Sequence, residues 1–121
     1  MNSWQLVLIV ASVALSALAQ VLFKFGMQRV TSDGTALNVV TQIIKNPAVV
    51  GGFVAYGVSA CVWLVVLKRT ELSVAYPFVS LGFILTMLAG WLLFAEPVGP
   101  LRILGTLFVC VGVVIIAASA R

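Results

Sequence analysis

Four long runs without a charged residue alternate with short polar segments along the chain. These runs cover residues 4–23, 48–67, 72–95 and 103–120. A helix rises about 1.5 Å per residue, so each run can cross the roughly 30 Å hydrocarbon core of a bilayer. The pattern predicts an all-α membrane protein, in which residues 1–121 form one four-helix transmembrane domain. With flanking residues, the predicted spans are about 4–27, 48–67, 72–95 and 101–120.

The polar segments predict how the spans are joined. The first connection combines a turn signal at residues 32–34 with a mixed apolar and polar stretch, residues 37–45, which predicts a short interfacial helix. Residues 68–71 and 96–102 predict two tight turns, and Pro100 suits the first turn of the last helix.

The first span also contains a short sequence that resembles a signal-peptidase site. Residues 17–19 have the required small side chains. However, no Lys or Arg precedes them, and the apolar run is longer than the 7–15 residues that are typical of signal peptides. We therefore expect the first span to be retained.

Polar side chains recur at steps of four from residue 12 to residue 28, along the first span and just beyond it. These residues are Ser12, Ser16, Gln20, Lys24 and Gln28. Each step of four advances the helix by about 400°, so Ser16, Gln20 and Lys24 stay within an arc of about 80°. Such a face is costly against lipid and favours a wet groove or a partner helix. Alternatively, Lys24 reaches the interface at the helix end and Gln20 bonds a neighbouring backbone.

The third span combines hydroxyl groups with a proline near its start. Ser73, Tyr76 and Ser80 share one face if this segment is a regular α-helix. Pro77 removes a backbone hydrogen bond and crowds the carbonyl group of Ser73, which predicts a helix kink. The alternative is an early-turn proline without consequence. Tyr76 is predicted either to line the groove or to anchor the helix at the membrane interface.

Aromatic residues and glycines are spaced by seven in the two remaining spans. Tyr56 and Trp63 in the second span either pack as an aromatic anchor or line the groove. Gly105 and Gly112 in the fourth span predict a smooth seam for another helix, as a packing or dimer contact.

The positive charges fall almost evenly on the two sides of the membrane. One side holds Lys68, Arg69 and Arg121, and the other holds Lys24, Arg29, Lys45 and Arg102. The bias of Lys and Arg that usually fixes orientation is therefore weak. Either a partner fixes the orientation, or copies insert both ways and pair antiparallel. Since four helices can hardly enclose a polar pathway alone, we expect a dimer in both cases.

Composition limits the chemistry that is open to this chain. It is 63% hydrophobic and only 8% charged, whereas soluble proteins carry about 25% charged residues. There is no histidine, the acids are Asp33, Glu71 and Glu96, and Cys61 and Cys110 are far apart in apolar runs. We predict no enzyme activity, catalytic residue, metal site or cofactor, and no nucleic-acid surface. The role of Glu96 stays open between a turn residue and a functional one.

Several segments resemble motifs of a known group of transporters. They are residues 19–24, 63–67, 74–83, 95–100 and 105–116. Together they resemble the small four-helix, EamA-like members of the drug/metabolite transporter superfamily, and most of all the aminoarabinose-phosphoundecaprenol flippase subunits. The first segment fits the pattern Gly/Ala-Gln-x-x-x-Lys of these proteins, and the resemblance covers nearly the whole chain.

The resemblance implies a function, a location and a partner. Such flippases move undecaprenyl-phosphate-linked sugars across the bacterial inner membrane while the lipid tail stays in the bilayer. The expected assembly is an antiparallel homodimer or a heterodimer with a sibling subunit. A lysine can meet a phosphate as a point charge. The implied substrate-binding residues are Lys24, Gln20, Ser16, Tyr76, Ser80, Tyr56 and Trp63.

The alternative is a small exporter of cationic compounds. The small multidrug resistance exporters are similar to this chain but more distant, and they carry a first-helix glutamate eight residues before the lysine. Ser16 occupies that position here, and Val79 replaces an aromatic residue of that family. Both departures favour the flippase over a proton-coupled exporter.

Overall fold

The fold is built from helices alone in the part of the chain that the computed structural model describes, residues 2–31 and 34–119, without the side chain of Tyr76. The elements are α1 (Ser3–Met27), α2 (Ala36–Lys45), α3 (Pro47–Arg69), α4 (Leu72–Ala75), a 3-10 segment (Tyr76–Leu81), α5 (Gly82–Phe94) and α6 (Pro100–Ser119). Four stretches are long and apolar enough to span a membrane: Ser3–Met27, Pro47–Arg69, Leu72–Phe94 and Pro100–Ser119. The all-α, four-span prediction is confirmed. Asp33 and Arg121 lie outside the described residues.

Helices α1 and α3 form an antiparallel pair that polar side chains fasten at both ends. Gln5 closes a capping box with Asn2 at the start of α1, and its Nε2 donates to the carbonyl oxygen of Arg69 at 2.8 Å. At the other end, Asn46 caps α3 and its Nδ2 donates to the carbonyl oxygen of Gly26 at 2.8 Å. These bonds satisfy backbone groups that helix ends leave free and fix the register of the two helices.

Small residues let α1 and α3 approach closely. A Cβ atom at Gly52 would lie 2.7 Å from the Phe23 ring and 3.2 Å from the carbonyl oxygen of Ala19. At Gly26, it would lie 2.5 Å from the Cγ2 atom of Val49. Close backbone contact of this kind drives helix association in membranes, where water-driven apolar burial does not act.

The third span changes helix type near its start. After the single turn of α4, residues Tyr76–Leu81 adopt a 3-10 conformation before α5 begins. Pro77 lies in the first turn of this 3-10 segment, where its missing N–H is tolerated. The 3-10 geometry has about three residues per turn, so the α-helical spacing that would place Ser73 and Ser80 on one face does not continue through this segment. The kink at Pro77 stays a prediction.

The connections are close to those that the sequence predicts, with one difference. Helix α2 forms within the first connection, and α6 begins at Pro100. The predicted turn at residues 68–71 is shorter, because Lys68 and Arg69 complete the last turn of α3. Cations are favoured at a helix C-terminus, which explains why the helix includes them.

Helix α6 is the least packed of the spans. It contacts mainly the 3-10 segment, and Val113 is its one buried residue among those described. Large apolar side chains along it stay uncovered by the chain, including Leu101 at 83% and Phe108 at 69% exposure. These surfaces therefore face lipid or a second chain.

Candidate functional site

A cavity of about 750 Å³ lies between α1 and α5 and extends to the loop that leads into α6. We call it the polar groove. Apolar side chains such as Phe83 and Phe94 form part of its wall. Its polar lining includes Ser16, Gln20, Lys24, Glu96, Arg102 and Thr106. The groove thus combines three charged side chains with uncharged polar groups beside an apolar wall.

Helix α1 supplies one polar wall of this groove. Ser16, Gln20 and Lys24 all line it, as the spacing of four along the first span predicts. Gln20 is exposed, and within the described residues its side chain has no hydrogen bond, so the alternative of a bond to a neighbouring backbone is not observed. The amide of Gln20 is therefore available to a ligand in the groove.

Lys24 faces an acid across the groove. Its Nζ atom lies 3.8 Å from the Oε1 atom of Glu96, and the two side chains are 53% and 43% exposed. The separation is longer than that of a hydrogen-bonded charge pair, which is about 2.7–2.9 Å. The ion pair is therefore loose and open to a competing ligand.

The end of α5 sets the direction of the Glu96 side chain. Ala95 adopts the left-handed conformation, with φ of 52°, and the N–H groups of Ala95 and Glu96 both donate to the carbonyl oxygen of Gly90. This reversal folds the carboxylate back over Gly90, where a Cβ atom would lie 2.8 Å from Oε2 of Glu96. A glycine at position 90 is thus required for this placement.

Arg102 brings a second cation to the groove. Its Nη1 atom donates to the carbonyl oxygen of Pro97 at 2.8 Å, which ties the first turn of α6 to the preceding loop. A guanidinium group has five N–H donors, so this bond leaves most of them for other acceptors. The described part of the groove therefore holds two cations and one carboxylate. Groups of three or more metal-ligating side chains do not occur among the described residues.

A second, smaller cavity of about 170 Å³ adjoins the groove. Ser16 and Tyr56 line both cavities, whereas Trp63 lines the smaller one. Ser12 departs from the polar stripe and is buried against α3. Its hydroxyl donates to the backbone carbonyl oxygen of Ser59 at 3.0 Å, and the hydroxyl of Ser59 donates to the backbone carbonyl oxygen of Ser12 at 2.8 Å. Ser12 therefore joins α1 to α3, whereas Ser16, Gln20 and Lys24 line the groove.

The groove lining does not include Ser80, Gly105 or Gly112. Ser80 is half-buried, and its hydroxyl donates to the carbonyl oxygen of Pro77. The side chain of Tyr76 lies outside what the structure describes. Gly105 and Gly112 have open space where a Cβ atom would be, so no described side chain packs against that position of either glycine. Neither their seam role nor the substrate role of Ser80 and Tyr76 is tested by this geometry.

Sequence reasoning did not assign the two charged residues on the other side of the groove to the site. It left Glu96 between two roles and assigned Arg102 only to a turn, yet both side chains line the groove. Their positions depend on the left-handed turn at Ala95, which no local motif marks. The only available signal was the presence of two charges within a short connection between apolar spans.

Comparisons with known proteins place the chain in a family. Residues 9–117 match the model of transmembrane family 234. The chain belongs to this family. No solved structure gives a significant match.

Curated relatives extend the comparison over nearly the full chain. A probable 4-amino-4-deoxy-L-arabinose-phosphoundecaprenol flippase subunit ArnE of Pseudomonas aeruginosa (strain UCBPP-PA14) is 32% identical over 93% of this chain and 96% of its own. A probable ArnF subunit of the same flippase from Serratia proteamaculans is 38% identical, over 92% of this chain and 90% of its own. A probable ArnF subunit of Aeromonas salmonicida is 28% identical, over 89% of this chain and 75% of its own.

These relatives confirm the resemblance to flippase subunits that the sequence motifs indicate. With its four apolar helices, this family member is a multi-pass protein of the bacterial inner membrane. The wider placement in the drug/metabolite transporter superfamily stays a prediction.

Proposed function

We propose that this chain is a subunit of a flippase that moves a polyprenyl-phosphate-linked sugar across the bacterial inner membrane. Residues 1–121 act as one four-helix transmembrane domain. The observation that carries the proposal is the polar groove, in which Lys24 and Arg102 supply two cations beside Ser16 and Gln20. The flippase-subunit names of the relatives support it.

The groove meets the main physical difficulty of this transport. A phosphate-sugar head group carries charge and many hydrogen-bonding groups, so its transfer into bare hydrocarbon is prohibitive. The lipid tail needs no such help, because it stays in the bilayer. A groove beside the lipid, with cations and hydroxyl and amide groups on its wall, replaces the lost water.

We assign the phosphate to Lys24 and the sugar to Gln20, Ser16 and Tyr56. Lys24 is half-exposed in the groove, and its partner Glu96 is 3.8 Å away. A phosphate can therefore replace Glu96 as the partner of Lys24. Trp63, which lines the smaller cavity, remains a proposed contact, as do Tyr76 and Ser80. The chain then acts by binding and translocation, without a catalytic residue, metal or cofactor.

We further propose that the working unit is a dimer in the membrane. The groove of one chain is bounded by a poorly packed α6, and the relatives are named as subunits. The partner is either an antiparallel copy of this chain or a sibling four-helix subunit. Gly105 and Gly112 offer a seam free of side chains on the uncovered side of α6.

One observation favours the alternative, an exporter of cationic compounds. The sequence predicts no acid for such a function, because all three acids fall between the spans, but the structure brings the Glu96 carboxylate into the groove. This carboxylate is paired with Lys24, and Arg102 adds a second cation. The excess of positive charge favours an anionic substrate.

The test is translocation of a polyprenyl-phosphate-linked sugar by the chain and its partner in proteoliposomes. Lys24→Ala is expected to slow translocation by roughly tenfold to hundredfold, the size of a lost charge-assisted hydrogen bond. Lys68→Ala, which removes a cation at the end of α3 outside the groove, is the control and is expected to leave the rate unchanged. Equal rates for Lys24→Ala and the wild type contradict the proposal, and proton-driven uptake of a cationic dye supports the exporter.

A further inference from the structure

A carboxylate is an unexpected component of a groove that binds an anionic lipid. Glu96 repels phosphate, yet the fold holds it in place by a left-handed turn at Ala95 and a glycine at position 90. A structural role in the turn does not require the charge, because the backbone N–H groups of Ala95 and Glu96 make the capping bonds to Gly90. The carboxylate therefore needs an explanation of its own.

We propose that Glu96 selects substrates whose phosphate-linked head group also carries an ammonium group. On binding, the phosphate pairs with the ammonium group of Lys24 and breaks the Lys24–Glu96 ion pair. The ammonium group of the substrate then pairs with the carboxylate of Glu96. This inference rests on the proposed function and adds the determinant of specificity. The amino sugar in the names of the relatives has the chemistry that such a site requires.

The geometry of the ion pair suits such an exchange. The Nζ atom of Lys24 and the Oε1 atom of Glu96 are 3.8 Å apart, and both side chains are about half-exposed toward the groove. The pair thus neutralises both charges before a head group binds, without a short, tightly held bond. A head group with both charges replaces one ion pair by two, so neither Lys24 nor Glu96 is left without a partner of opposite charge in a medium where unpaired charges are costly.

Head groups with phosphate alone bind less favourably. They also attract Lys24, but they leave the Glu96 carboxylate without its cation beside a new negative charge. Arg102 offsets part of this repulsion, since it lines the same groove. Its guanidinium group is tied to the carbonyl oxygen of Pro97 by one bond at 2.8 Å, which keeps this cation near the loop. The discrimination therefore comes from Glu96, while Arg102 lowers the cost of phosphate binding.

The experiment compares two lipids in proteoliposomes that contain the chain and its partner. One lipid is a polyprenyl-phosphate-linked amino sugar. The other is the same lipid with its amino group N-acetylated, which removes the positive charge and leaves the phosphate charge. The wild type is expected to move the amino-sugar lipid at least tenfold faster. Glu96→Gln is expected to reduce this preference below threefold, mainly by slowing the amino-sugar lipid. Glu71→Gln, an acid outside the groove, is expected to keep the preference.

A second variant moves the carboxylate without removing its charge. In Gly90→Ala, the added Cβ atom would lie 2.8 Å from Oε2 of Glu96, so the carboxylate must shift. Alanine also favours a helix more than glycine does, so α5 is not weakened. We expect a partial loss of preference, and this variant decides the question if Glu96→Gln does not fold.

The outcomes separate the two proposals. Equal transport of both lipids by the wild type, or an equal loss for both lipids in Glu96→Gln, overturns the role of Glu96 and leaves the flippase function intact. Transport of neither lipid by the wild type overturns both proposals. A loss of preference in Glu96→Gln with transport of the N-acetylated lipid retained supports the inference.

Discussion

The reciprocal bonds between Ser12 and Ser59 allow a quantitative test of the α1–α3 interface. The hydroxyl of each serine donates to the backbone carbonyl oxygen of the other, at 3.0 Å and 2.8 Å. The two hydroxyl oxygens are also 3.2 Å apart, but each hydroxyl has only one proton. Because each proton is already used at a carbonyl group, the hydroxyl–hydroxyl contact adds little.

This arrangement makes a distinct energetic prediction. Interhelical hydrogen bonds in membranes average about 0.6 kcal/mol and reach about 1.7 kcal/mol. Ser12→Ala and Ser59→Ala are each expected to lower the free energy of unfolding by about 0.6–1.7 kcal/mol. Since the carbonyl acceptors survive both substitutions, the two losses are expected to add, without the coupling energy of about 0.5–3 kcal/mol that contacting residues commonly show.

The assay is reversible unfolding in mixed micelles, followed by far-UV circular dichroism for the wild type, both single variants and the double variant. Ser119→Ala is a matched control, because that hydroxyl bonds the carbonyl oxygen of Ile116 in its own helix. A double variant no less stable than either single variant would show that the two hydroxyls share one bond with each other. That result would refute the reciprocal arrangement.

Three further substitutions test other parts of the structure. Gly26→Ala is expected to lower the free energy of unfolding by about 1–3 kcal/mol, because its Cβ atom would lie 2.5 Å from a side chain of α3. Gly57→Ala is the control and is not expected to lower it, because there is open space at that position. Ala95→Gly is expected to raise stability by about 0.5–1 kcal/mol in the same assay, since φ is 52° there, and a loss would argue against the left-handed turn. Gly112→Leu is expected to reduce chemical cross-linking between chains in membranes several-fold, whereas Val111→Leu on another face is not. Equal cross-linking of Gly112→Leu and the wild type would contradict a helix contact at the glycine seam.

The spans and one wall of the groove could be predicted from the sequence because both depend on local patterns. Apolar length determines which segments can cross a bilayer, and the spacing of four places Ser16, Gln20 and Lys24 on one face of α1. The same helical drift explains why Ser12 turns away toward α3. These features need no knowledge of the neighbouring helices.

The opposite wall of the groove could not be predicted in this way. The position of the Glu96 carboxylate depends on the left-handed backbone at Ala95 and on contact with Gly90, six positions earlier in the chain. The 3-10 segment around Pro77 likewise changes which side chains share a face. Alanine is an unusual residue for a left-handed turn, so the sequence carries no local sign of the reversal.

The central claim, that a phosphate-sugar head group occupies the polar groove, is tested most directly by photolabelling. A polyprenyl-phosphate-linked sugar with a diazirine on the sugar would be bound to the assembled protein in a bilayer, activated, and mapped by mass spectrometry of peptides. The account predicts labels within residues 16–24 and 96–106, lost with excess unlabelled lipid and weakened by Lys24→Ala. Labels confined to the lipid-facing side of α3, for example at Leu64, or unaffected by competitor, would contradict it.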